Sequence, residues 1–88
     1  MAAYKALLTV DLSGTSPAQK AVFQESLKME TWQILGQMEA SWRCSWNDTE
    51  YDTAVNAIKA DVNKAALAAG LQRYPYAFQL GTNIVKSF

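Results

Sequence analysis

The chain has 88 residues, eight Lys+Arg against eight Asp+Glu, one cysteine and no histidine. Without histidine there is no imidazole base, no Ser-His-Asp or Cys-His relay and no His-ligated metal. Cys44, being alone, forms neither an internal disulfide nor a thiolate zinc site, and zero net charge speaks against a non-specific nucleic-acid binder, which carries a basic excess.

The length implies a single domain over residues 1–88 with a small core. Half the residues are apolar, which is globular composition and too hydrophobic for disorder. The N-terminal Met1-Ala2-Ala3-Tyr4-Lys5 lacks the basic and long apolar regions of a signal peptide. No apolar run approaches the roughly 18 residues of a membrane span. With a free thiol added, these features predict a soluble, cytoplasmic protein without membrane contact.

Residues Tyr4 to Leu12 alternate, with Tyr4, Ala6, Leu8, Val10 and Leu12 on one face and Lys5, Leu7, Thr9 and Asp11 on the other. Period two over this length predicts a half-buried strand. Ser13-Gly14-Thr15 breaks it, and Ser16-Pro17 starts a helix, since the hydroxyl caps free N–H groups and proline at the first helical position forfeits no bond. The helix is predicted to reach about Met29, with Ala18, Ala21, Val22, Phe23 and Leu27 as its apolar side. A hairpin follows, Thr31–Met38 and Ser41–Trp46, turning near Glu39-Ala40. Trp32, Ile34 and Met38 are predicted on the inner face of its first strand, Trp42, Cys44 and Trp46 on that of its second.

Asn47 to Asp52 opens a second helix, with Thr49 and Asp52 spaced as a capping box and the acids suited to the positive helix end. Tyr51, Ala54, Val55, Ile58, Val62, Ala65, Ala66 and Ala69 recur at helical spacing before Gly70 stops it. Tyr74–Leu80 reads as a last main strand, Gly81-Thr82-Asn83 as a turn, and Ile84–Phe88 as a tail able to form a further strand. The order β-α-β-β-α-β predicts an α+β, ferredoxin-like sandwich: a four-stranded antiparallel sheet with two helices on one face, plus the tail. Large sheet rings (Tyr4, Trp32, Trp42, Trp46, Tyr76, Phe78) would interdigitate with the alanine-rich second helix.

By subtraction the open sheet face holds Lys5, Leu7, Thr9, Asp11, Gln33, Leu35, Gln37, Ser41, Arg43, Ser45, Ala77 and Gln79. It lacks the aromatic residues with which an RNA-recognition module stacks bases. Asp11, at the exit of the first strand, admits two readings. As a carboxylate on an open face it is a candidate Mg²⁺ ligand and catalytic residue, completed by a second copy in a two-fold dimer. As a strand-ending Asp it caps the following turn. Lys5 and Arg43 either grip a phosphate or pair with Asp11. The tryptophans read as core, Cys44 as a small buried apolar residue, and Asp48, Glu50 and Asp52 as a solvated helix start without the pattern of a calcium loop.

A strand ending Leu8-Thr9-Val10-Asp11, a Ser/Gly loop, a helix, a hairpin, a helix, a strand and a C-terminal extension together resemble small ferredoxin-like nucleases. These are the CRISPR-associated integration subunit, the VapD ribonucleases and the GhoS-type endoribonuclease antitoxins. The resemblance is architectural and spans nearly the whole chain; Asp11 is its one residue-level match. It implies a homodimer with Asp11 as metal ligand at the dimer interface and a tail that pairs with the partner's sheet. The arginine-rich pattern those proteins carry next is replaced here by Thr15-Ser16-Pro17-Ala18-Gln19-Lys20.

Two functions follow as expectations. One is a homodimeric protein-interaction module, antitoxin-like, immunity-like or phage-inhibitor-like, that binds an unknown protein through Lys5, Leu7, Leu35 and Arg43 or through Ile84, Val85 and Phe88. It needs no cofactor. The other is a Mg²⁺-dependent endoribonuclease acting on RNA through Asp11.

Overall fold

The computed structural model describes residues 2–35 and 38–82; the predicted tail strand, Ile84 to Phe88, lies outside them. The elements are β1 (Ala2–Val10), α1 (Pro17–Met29), β2 (Gln33–Leu35), β3 (Met38–Thr49), α2 (Tyr51–Ala69) and β4 (Tyr76–Gly81). They form one antiparallel sheet in the order β2-β3-β1-β4, the ferredoxin-like α+β sandwich that the alternation of strand and helix patterns predicts.

The local chemistry accounts for each element. Ser16 Oγ accepts from the Gln19 N–H at 3.1 Å, and Gln19 Oε1 accepts from the Ser16 N–H at 3.0 Å. This reciprocal box, with Pro17 as first helical residue, sets the start of α1. Gly70 ends α2 in the left-handed region, φ 70°, where its N–H meets the carbonyls of Ala66 and Leu67.

The core lies between sheet and helices. Ala6, Leu8 and Val10 of β1 and Trp42 and Cys44 of β3 meet Phe23 and Leu27 of α1 and Ile58, Val62, Ala65 and Ala66 of α2. Phe23 packs on Trp42 with ring centroids 5.6 Å apart, and Trp32 meets Trp46 edge to face at 5.8 Å. Alanines on α2 leave room for these rings, as the residue sizes predict.

Five local expectations are corrected. The first hairpin strand, expected over Thr31–Met38, is Gln33–Leu35, and Met38 belongs to the strand that follows. The strand expected over Tyr4–Leu12 is Ala2–Val10, although Leu12 remains buried beyond its end. The second hairpin strand is longer than Ser41–Trp46: β3 begins at Met38 and includes Glu39 and Ala40, which were expected to turn. At its other end it holds Thr49 in register with Ala2, so Thr49 does not cap α2. Glu50 is the residue before α2 and makes no side-chain cap, while the Thr49 hydroxyl donates to the Asn47 carbonyl at 2.9 Å. The last strand begins at Tyr76 and runs through Gly81 rather than spanning Tyr74–Leu80.

Leu35 is the correction that touches function. It was expected on the open face, with Ile34 inside. Instead Leu35 is 4 % exposed, while Ile34, opposite Trp42, keeps the expected side at the sheet margin and is 36 % exposed. The register of β2 on β3 shifts between these two residues: Leu35 meets Met38 where an unbroken ladder would set it against Ser41, and a shift by an odd number of residues brings it to the other face.

Candidate functional site

With both helices on one side, no described element covers the other face of the sheet, and the strand register orders its side chains into rows. Gln33, Arg43, Leu7 and Gln79 lie side by side across β2, β3, β1 and β4. A second row is Ser41, Thr9 and Ala77, and a third is Ser45, Lys5 and Gly81. Directly opposed residues point to the same side, so these rows form one surface. Leu7 sits half-buried at its centre, beside exposed Arg43 and half-buried Lys5.

The polar groups of this face are lightly tied. Arg43 Nε donates to Gln33 Oε1 at 3.1 Å, which steadies the guanidinium and leaves its outer N–H groups directed elsewhere. The Thr9 and Ser41 hydroxyls stand 3.5 Å apart. Lys5 and Arg43 occupy diagonal positions on β1 and β3. Neither has an ion-pair partner among the described residues, whose ion pair is Lys64–Glu30 on the helical side. The face thus combines a central leucine, hydroxyl and amide donors and acceptors, and two cations without an ion-pair partner among the described residues.

Asp11 stands just past the end of β1, exposed, and the turn accounts for its carboxylate. Oδ1 accepts from the Ser13 N–H at 2.9 Å, while the Asp11 N–H donates to the Pro75 carbonyl at 2.8 Å. Hydrogen bonding by Ser13, first through its side chain and then its backbone, holds the Asp11 carboxyl below the usual carboxylate range, and the Arg73 guanidinium adds a smaller pull in the same direction. Asp11, Ser13, Arg73 and Pro75 line a shallow depression of about 120 Å³. No group of three His, Cys, Asp or Glu residues able to hold a metal occurs among the described residues. Lys5 and Arg43 are not among the residues that surround Asp11; the cation beside it is Arg73, which the sequence does not flag because it sits in the loop before β4.

A second cluster, also missed by sequence patterning, lies where α1 runs into β2. Trp32 Nε1 donates to Asp61 Oδ2 at 2.9 Å, Lys64 Nζ donates to Glu30 Oε1 at 2.6 Å, and Thr31, at φ 70°, brings its hydroxyl 3.5 Å from Cys44 Sγ. Burial pushes the Asp61 carboxyl up, against the Trp32 hydrogen bond and with Glu30 adding to the rise. Burial likewise raises the Cys44 thiol, so Cys44 is a packed side chain in its un-ionised form. This cluster joins the helical layer to the sheet.

No described helix is long and apolar enough to cross a membrane. Comparison of the chain with protein families, curated proteins and solved structures gives no match.

Proposed function

We propose that this protein is a small homodimeric interaction module that binds a partner protein through the open face of its sheet, in the manner of antitoxin-like, immunity-like or phage-inhibitor-like proteins. The row Gln33–Arg43–Leu7–Gln79 carries the reading. A half-buried leucine ringed by hydroxyl and amide groups and by two cations that have no ion-pair partner among the described residues is the composition of an interface: an apolar centre with a polar rim. Leu35 drops out of this surface because it is buried. The helical layer also exposes Val22 and Met29 on α1 and Tyr51 and Leu67 on α2, apolar side chains of the kind any folded surface carries.

The cations define the partner's chemistry as an acidic surface. Arg43→Glu and Leu7→Asp are expected to abolish retention of a protein that the wild-type module holds, with folding unchanged because neither side chain is in the core. Equal retention by wild type and both variants contradicts the reading.

The endoribonuclease alternative rests on Asp11 and Mg²⁺. The adjacent Arg73 opposes a bound cation, and one Asp11 oxygen is already engaged by Ser13. RNA incubated with Mg²⁺ or Mn²⁺ is expected to survive equally with wild type and with Asp11→Ala. Cleavage by wild type alone would establish the alternative.

A further inference from the structure

Among the described residues the sheet ends on one side at β4, and the strand itself carries none of the usual edge protection. Natural edges are blunted by charged side chains, proline or a bulge. Tyr76-Ala77-Phe78-Gln79-Leu80-Gly81 contains no charge and no proline, and its register on β1 runs without a shift.

The direction of its free backbone groups follows from one bond. The Pro75 carbonyl accepts from the Asp11 N–H, so the backbone of residue 75 faces β1. Backbone direction alternates along a strand, hence Ala77, Gln79 and Gly81 also face β1, opposite Thr9, Leu7 and Lys5. The N–H and C=O groups of Tyr76, Phe78 and Leu80 therefore point away from the sheet, and no described residue meets them. The side chains of the same three residues sit at the margin of the core, only partly buried. Among the described residues, edge and margin are thus unfinished at the same place.

We propose that a second copy of this chain completes both, by antiparallel pairing of β4 with β4 of its partner about a two-fold axis through Phe78. The inference rests on the dimer in the function proposed above and specifies its geometry. Self-pairing of identical strands must place residues of like parity opposite one another. Centred on Phe78, it sets Phe78 against its own copy and Tyr76 against Leu80 of the partner subunit, and every outward N–H and C=O of the three residues finds a partner. Centred on Gln79 instead, it would leave part of them unmet. The chosen register puts apolar side chains together on the helical side and Ala77 against Gln79 of the partner subunit on the open side. An uncharged strand meets its copy without like-charge repulsion.

The symmetry has a functional consequence. Antiparallel edge pairing requires a two-fold axis perpendicular to the sheet, so both open faces look the same way. Eight strands then form one continuous surface bearing two copies of Lys5, Leu7 and Arg43, a bivalent platform for an acidic partner.

Light scattering, amide hydrogen exchange and a charge exchange at the edge test this with the full chain. The expected mass is twice 9.7 kDa, with the amides of Tyr76, Phe78 and Leu80 slowed by about tenfold or more as concentration rises through the dissociation constant. The exposed pair Ala77→Lys/Gln79→Lys should give the single-chain mass with an unchanged fold, and Ala77→Lys/Gln79→Glu, which sets Lys against Glu across the axis, should restore the dimer. A dimer whose three amides exchange rapidly, or one insensitive to the lysine pair, overturns the β4 pairing and leaves the dimer standing. A mass of 9.7 kDa at every concentration overturns both, whether the three amides are fast or are slowed without regard to concentration by this chain's own residues 83–88.

Discussion

The bond between Trp32 and Asp61 gives the sharpest test of how the two layers are held together. Trp32 is 2 % exposed and its Nε1 donates to Asp61 Oδ2 at 2.9 Å. Asp61→Ala strands that donor. A hydrogen bond to a charged group contributes about 1.5–3 kcal/mol, and relief of a partly buried carboxylate returns some of this, leaving a net loss of about 1–2 kcal/mol. For a domain of this size that lowers Tm by roughly 4–8 °C per kcal/mol. Asp61→Asn keeps an acceptor oxygen and removes the disfavoured charge, so it should fall within about 0.5 kcal/mol of wild type at neutral pH. The pH dependence has a definite sign. The folded-state pKa of Asp61 lies above its ordinary value, so its favourable contribution is full below the unfolded pKa and is lost as pH rises through the folded one. Asn has no such loss and should gain on wild type between acid and neutral pH. Urea melts of the three proteins at two pH values measure all of this. Asp61→Ala as stable as wild type, or Asn as damaging as Ala, would refute the reasoning.

Three further outcomes are expected. Trp42 is fully buried and its Nε1 has no hydrogen-bond partner among the described residues, so Trp42→Phe removes an orphan donor along with its volume. It should cost about 1 kcal/mol less than Trp32→Phe in denaturant melts. Ser16→Ala breaks the reciprocal cap of α1 and should cost about 1 kcal/mol, with Ser16→Asp close to wild type. At Gly70 a Cβ would meet nothing within 4 Å, yet φ is 70°; Gly70→Ala should therefore cost about 1 kcal/mol from backbone conformation alone, visible as a lower Tm without a change in spectrum.

The fold was legible because its patterns are local and redundant. The alternation in β1, the Ser16-Pro17 start of α1 and the long apolar stripe of α2 each point to one element, and their order leaves few topologies. What patterning missed depends on contacts distant in sequence. Thr49 looks like a cap until the length of β3 places it opposite Ala2. Leu35 looks exposed until the register shift beside Ile34 turns it inward. Asp11 was identifiable as a strand-end carboxylate, and its Oδ1 accepts the Ser13 N–H as a turn-capping Asp does. Its neighbour Arg73 lies 62 positions later and is reached only through the pairing of β1 with β4. The rows of the open face were half visible: their composition follows from alternation, but which residues stand side by side needs the register.

The central claim is that the open face, and not the helical layer, meets the partner. A photo-crosslinking phenylalanine analogue placed at Leu7 tests it against the same group at Leu67, which is 81 % exposed on α2. The two positions lie on different layers, the open face of the sheet and the outer side of α2. The account predicts a discrete adduct from position 7 that disappears with Arg43→Glu, and none from position 67. An adduct from position 67 with none from position 7 would contradict it.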